Sequence, residues 1–160
     1  MNLKLKNILQ NAVYAALYVV LCVIFKPISY GLVQVRVAEA LCILPIFDEM
    51  AIVSVSLGCF ISNILNGNVI DAIFGTLATF IGLFFIKLIK LDNFFIKMLP
   101  TILSNTIIIP FVLKYAYGFV DVSILISAIS IAVGEIIAVY VLGYFLYKAL
   151  IIYHIKMQKK

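Results

Sequence analysis

Residues 69–86 hold a single ionisable side chain, Asp71, in eighteen positions otherwise filled by Val, Ile, Leu, Phe, Ala, Gly and Thr. Wound as an α-helix at 1.5 Å per residue, such a stretch covers most of a hydrocarbon core about 30 Å thick. The pattern recurs along the chain. Apolar windows at 8–25, 34–47, 51–65, 98–113 and 122–147 alternate with short segments that collect Lys, Asn, Pro and Gly. With 66% hydrophobic and 12% charged residues and a mean hydropathy of +1.23, a soluble globule of 160 residues cannot cover its own apolar surface. The expected fold class is therefore an all-α integral membrane protein with six transmembrane helices, residues 1–160 forming a single membrane domain.

The windows differ in detail. Lys4 and Lys6 ahead of Ile8–Phe25 imitate a signal peptide, but no small-residue cleavage site follows, and Lys26-Pro27-Ile28-Ser29-Tyr30-Gly31 reads as a loop, so this window is expected to remain as the first span. Within it Ala12, Ala15 and Ala16 make a small patch that another helix can approach closely. The second window, Gln34–Phe47, amounts to roughly 21 Å of helix and is expected to be short or tilted. Asp48 with Glu49 marks a polar turn, and Asn66-Gly67-Asn68 marks another, since Asn and Gly tolerate positive φ. Pro100 and Pro110 are expected to bend the fifth span, and Asn105 between them needs a hydrogen-bond partner in hydrocarbon. Cys22, Cys42 and Cys59 lack the spacing of a zinc or redox site and read as packing thiols. His154 reads as a solvated tail residue.

Six spans put both termini on one side. Nine cationic residues (Lys4, Lys6, Lys87, Lys90, Lys97, Lys148, Lys156, Lys159, Lys160) then fall on that side against three (Lys26, Arg36, Lys114) on the other, which makes it the cytoplasm. The net charge of +5 thus reflects membrane topology, and no nucleic-acid partner is expected. The intramembrane polar residues crowd the opposite half: Gln34, Arg36, Glu39, Asn63, Asp71, and, nearer mid-depth, Asn105 and Glu135. Ionisable groups are expensive in a bilayer and by default mark a buried site, the plainer alternative being an ion pair that locks two helices together. Arg36 and Glu39, three residues apart, are expected to share a helix face and neutralise each other. That leaves Asp71 and Glu135 as excess negative charge, although Asp71 also suits the first turn of a helix.

These residues imply a pocket that opens outward or is capped by the loop after the first span. Its acidic excess favours a ligand with a cation or several N–H donors, such as a guanine-like heterocycle with an amine arm, or another small amine. There is no Gly-rich phosphate loop, no nucleophile with its base and no metal-ligand cluster, so no enzyme activity, metal or cofactor is expected in this chain. Active transport would draw on an ion gradient or a partner. An intramembrane enzyme would need an acid/base pair in the cytoplasmic half, which is missing. A self-contained carrier or channel, with Glu135 and Asp71 as relay groups, stays open.

Taken together, Pro27-Ile28-Ser29-Tyr30-Gly31, Arg36-Val37-Ala38-Glu39-Ala40-Leu41, Gly58-Cys59-Phe60-Ile61-Ser62-Asn63, Asp71-Ala72-Ile73-Phe74-Gly75-Thr76-Leu77 and Gly134-Glu135 resemble the QueT family over most of the chain. Its members are substrate-binding S-components of energy-coupling factor (ECF) transporters associated with queuosine precursors. The resemblance implies a six-helix S-component-like bundle in the bacterial cell membrane with both termini cytoplasmic. It also implies capture of a 7-deazaguanine such as preQ1, or queuine, and toppling within the lipid bilayer together with a transmembrane coupling protein and two ATPase subunits that use ATP. Ala12 and Ala16 match the docking positions of the first helix. Glu39 or Glu135 is expected to accept the N–H donors of the guanine-like edge and Asp71 to face the amine. Gln34, Arg36, Asn63 and Asn105 would complete the hydrogen bonding, with Tyr30 or Phe74 stacked on the ring. An S-component for another small amine or vitamin is the alternative.

Overall fold

The computed structural model describes residues 2–29, 35–66, 69–116 and 123–158; their secondary structure is helical, with no β-strand among them. In chain order the elements are α1 (Leu3–Ile24), the short α2 (Lys26–Ser29), a 3-10 helix (Val37–Ile46), α3 (Ala51–Leu65), α4 (Val69–Leu88), α5 (Phe94–Ala116), α6 (Ile124–Glu135), a π-helical segment (Ile136–Leu142) and α7 (Gly143–Gln158). Tyr30 and Gln34, the Gly67-Asn68 half of the expected Asn-Gly-Asn turn and Gly118 lie outside the described residues.

Local chemistry sets several of the helix starts. The Asn2 side chain accepts from the amide of Lys4, Asn93 accepts from Phe95 and Ile96, and Ser123 accepts from Leu125, so short polar side chains satisfy first-turn amides that have no partner inside their own helix. α5 runs through both Pro100 and Pro110, each of which removes one backbone donor without ending the helix.

Four runs are long and apolar enough to cross a membrane: Lys4–Ile24, Val69–Leu88, Phe94–Tyr115 and Ile124–Tyr153. The last passes from α6 through the π-helical segment into α7. The remaining apolar helices, Val37–Ile46 and Ala51–Leu65, are shorter. The second window is not the α-helix its composition suggested: it winds as a 3-10 helix of 10 residues. At a rise of about 2.0 Å per residue the tighter coil reaches some 20 Å, nearly as far as the 15-residue α3. A 3-10 run of this length is uncommon. Here Ala38 to Leu44 are all buried, so packing on every side, and not helix propensity, holds its shape.

The core gathers around that 3-10 helix. Tyr18, Cys42, Ile43, Val55, Leu83, Met98 and Val139 are at or near zero exposure, while Val13, Ile61, Phe84, Ile107 and Ile129 face outward, as suits a molecule whose solvent is lipid. Two glycines allow the closest approaches. A Cβ on Gly58 would lie 2.7 Å from Tyr18 Cβ and 2.8 Å from the Ala15 carbonyl oxygen, and one on Gly82 would lie 2.6 Å from Thr101 Cα. α1 thereby seats on α3, and α4 on α5.

One end of the bundle is closed by polar and aromatic contacts. Asn11 donates to Asp48 and accepts from Ser54, Lys87 pairs with Glu49 at 2.6 Å, and the rings of Phe47, Phe94, Tyr144 and Tyr147 cluster, Phe94 and Tyr147 with centroids 4.9 Å apart. α1 reaches this end through Asn11 and α7 through Tyr144 and Tyr147.

Gly58→Leu and Gly82→Leu should each destabilise the detergent-solubilised protein by about 1–3 kcal/mol, read as a lowered thermal midpoint. Leu57→Ala on the outward face should change it by less than about 0.5 kcal/mol. Equal shifts in all three variants would show that these close helix approaches do not limit packing.

Candidate functional site

Towards the end of the bundle opposite the termini, five elements bring charged and amide side chains into the interior. Arg36, just before the 3-10 helix, and Asp71, in the first turn of α4, face each other with Nη2 and Oδ2 3.3 Å apart, both side chains 4% exposed. The expected Arg36–Glu39 pairing is therefore corrected. Arg36 is the residue that caps the 3-10 helix, with φ −81° and ψ 89°, so its side chain leaves the face that Glu39 occupies and reaches across to α4. The backbone still joins the two, with the Glu39 amide donating to the Arg36 carbonyl at 2.8 Å.

Glu39 finds its partners elsewhere. Its Oε1 accepts from the Tyr18 hydroxyl of α1 at 2.5 Å, and its Oε2 accepts from Cys42 Sγ at 2.9 Å, three residues along, where a 3-10 helix brings side chains directly over one another. Both oxygens of a fully buried carboxylate are thus hydrogen-bonded by donors from two elements. Asn63 at the end of α3 donates to the Asp71 carbonyl at 3.2 Å, next to Cys59 Sγ at 3.5 Å. Gly75 keeps room for this junction, because a Cβ there would lie 3.0 Å from Asn63 Nδ2 and 3.1 Å from Asp71 Oδ1.

Glu135, the last residue of α6, accepts from Asn105 Nδ2 of α5 at 3.1 Å through Oε1. Its second oxygen, Oε2, and Asn105 Oδ1 are buried with no hydrogen-bond partner among the described residues, as is the Thr101 hydroxyl one turn earlier on α5. A buried acceptor in that condition costs roughly 1–3 kcal/mol, and native proteins keep few of them. The pairing differs from the expected one: Arg36 meets Asp71, while Glu39 and Glu135 are held by donors from Tyr18, Cys42 and Asn105.

The backbone around these carboxylates is unusual on both sides. The π-helical segment begins directly after Glu135 and packs against the 3-10 helix that carries Glu39, where a Cβ on Gly143 would lie 3.1 Å from Ile43 Cγ2. π-helical turns recur at functional sites because they re-aim side chains within a helix.

Other expected residues lie apart. Phe74 is 46% exposed and lines an apolar groove of about 350 Å³ between α4 and α5 with Ile70, Ile107 and Phe111. Ala12 and Ala16 face outward on α1. Two members of the cluster escaped sequence reasoning. Tyr18 was signalled only by a hydroxyl placed in the middle of an apolar window, where it needs a partner. Cys42 is more than the packing thiol its isolation suggested, since it donates to Glu39, and Cys59 lies 3.6 Å from Thr79 Oγ1.

Residues 8–151 match the QueT transporter family. The chain belongs to that family. A stretch of 82 residues is 40% identical to the Queuosine precursor transporter QueT of Lactococcus lactis subsp. cremoris (strain MG1363), covering 50% of this chain and 48% of that protein, about half of each. No solved structure matches the chain. In this QueT-family chain the buried cluster therefore sits within the part that defines the family, between residues 18 and 135.

Arg36→Ala should destabilise the protein by about 3–5 kcal/mol by leaving Asp71 buried beside no guanidinium. Combining it with Asp71→Asn should recover part of that loss in a double-mutant cycle of thermal midpoints. Strictly additive losses would show that the pair is not coupled.

Proposed function

We propose that this chain is the substrate-binding S-component of an ECF-type importer and that its substrate is a queuosine precursor, a 7-deazaguanine such as preQ1 or queuine. One observation carries the reading: a transporter-family chain buries Glu39 and Glu135 in its interior beside amide and hydroxyl partners, while its buried Arg36 pairs with Asp71. The name of the Lactococcus lactis relative supports the substrate class. A 7-deazaguanine offers adjacent N–H donors on its pyrimidinone ring, and the later precursors add an aminomethyl cation, the two features an acidic hydrogen-bonding cluster recognises.

In this reading the chain crosses the bacterial cell membrane six times, Val37–Ile46 and Ala51–Leu65 being the two short crossings, with both termini in the cytoplasm. The excess of lysines at the terminal end supports that orientation. The cluster then faces the outer half of the bilayer and takes its ligand from outside. Gln34, Arg36, Glu39, Asn63, Asp71, Asn105 and Glu135 are the substrate-binding set, with Tyr30 as the stacking ring. Arg36 and Asp71 hold the mouth of the 3-10 helix against α4, while Tyr18 and Cys42 fix Glu39.

The motor lies outside the chain: a transmembrane coupling protein and two ATPase subunits use ATP while the S-component topples and releases the ligand inward. The outward-facing Ala12 and Ala16 give α1 a flat surface for the coupling protein.

The chain purified alone should carry a small molecule with a guanine-like edge, identifiable by mass spectrometry. In liposomes it should accumulate 7-deazaguanine only when the coupling protein, both ATPases and ATP are present. Uptake by the chain alone would point instead to a self-contained carrier, and a co-purified ligand without the guanine-like edge would remove the proposed substrate.

A further inference from the structure

The hydrogen-bond inventory separates the carboxylates. Glu39 has a donor on each oxygen, and Asp71 holds Arg36, so neither presents an unfilled acceptor of the kind found on α5 and α6. There, Asn105 Oδ1 and Glu135 Oε2 are both buried without a partner among the described residues, on residues 1% and 4% exposed. The amide of Asn105 is fixed in this sense because its nitrogen must face the Glu135 oxygen it donates to, which turns Oδ1 away. With Nδ2 and Oε1 3.1 Å apart, the two unfilled acceptors belong to adjoining head groups.

The geometry points to Asn105 and Glu135 as a two-acceptor clamp that selects a ligand edge presenting two neighbouring N–H donors, and so reads the 2-amino-pyrimidinone side of the substrate. This rests on the importer reading above and narrows it: the exocyclic 2-amino group, and not only the amine arm, is required. A heterocycle of the same shape without that group leaves one buried acceptor unfilled on binding. Sites built to hydrogen-bond a substrate N–H reject analogues that lack it far more strongly than apolar pockets reject a missing methyl. Glu39, whose two oxygens already accept from Tyr18 and Cys42, ties the 3-10 helix to α1 and borders the bound ligand without supplying this two-acceptor edge.

Binding to the purified full chain, by calorimetry or by ligand-induced shift of the thermal midpoint, tests the clamp with two probes: 7-aminomethyl-7-deazaguanine and its counterpart lacking the 2-amino group. Wild type should bind the first roughly tenfold to a hundredfold more tightly. Glu135→Gln, which exchanges one acceptor for donors at unchanged size, and Asn105→Ala should each reduce that preference to within about threefold. Equal affinity of wild type for the two probes overturns the clamp while leaving the importer reading intact, and needs no variant to fold. Undiminished preference in both variants overturns the assignment to Asn105 and Glu135. Binding of neither probe overturns the proposed substrate class and the clamp with it.

Discussion

A carboxylate buried in a bilayer-sized apolar bundle has to be met by donors, and the structure is arranged around meeting Glu39. The Tyr18 hydroxyl and the Cys42 thiol take one oxygen each, at 2.5 and 2.9 Å. Because Tyr18 belongs to α1 and Glu39 to the 3-10 helix, the first bond ties that helix to α1, while the second stays within it and orients the carboxylate. The dense packing around it follows: Gly58 lets α1 and α3 close over Tyr18, and the Arg36–Asp71 pair anchors the start of the 3-10 helix to α4. Hydrogen bonds between transmembrane helices are each modest, typically 1–2 kcal/mol or less, so it is their concentration on one short element that gives the arrangement its definition.

Two departures from α-helical winding face each other across this core. The 3-10 helix carries Glu39, and the π-helical segment follows Glu135. One is tighter and the other wider than an α-helix, and both alter the direction in which a carboxylate emerges. The contrast in hydrogen bonding is sharper still. One carboxylate is saturated, whereas the other keeps an oxygen, and its amide partner keeps another, without a donor among the described residues. In the proposed site a ligand would complete those acceptors.

The broad architecture could be read from the chain because hydrocarbon imposes a simple rule: backbone groups must bond within their own segment, so apolar windows become helices. Long apolar runs such as Val69–Leu88 follow that rule directly. Composition is silent about winding, which is why Val37–Ile46 was not recognisable as a 3-10 helix: the same apolar residues suit either coil, and tertiary packing decides. The buried residues Arg36, Glu39, Asn63, Asp71, Asn105 and Glu135 were legible because charge and amide groups stand out in so apolar a chain. Their pairing was not. The i, i+3 rule that joined Arg36 to Glu39 assumes both lie within one helix, and Arg36 lies just outside. Tyr18 and Cys42 were hidden for the opposite reason, since a tyrosine or a cysteine among apolar neighbours looks like packing until its donor atom is seen to meet a carboxylate. Phe74 illustrates the limit of proximity in sequence: three residues from Asp71, it faces a lipid-side groove instead of the charges.

The central claim is that the interior polar cluster, and not one of the apolar grooves on the helix faces, receives the ligand. A crystal structure of the chain grown with a 7-deazaguanine tests it most directly. The expected result is ring density within hydrogen-bonding distance of Glu135 and Asn105, with the Tyr18–Glu39 and Arg36–Asp71 contacts retained around it. Density confined to the groove lined by Ile70, Phe74 and Phe111, with the Glu135 and Asn105 acceptors still unfilled, would contradict it.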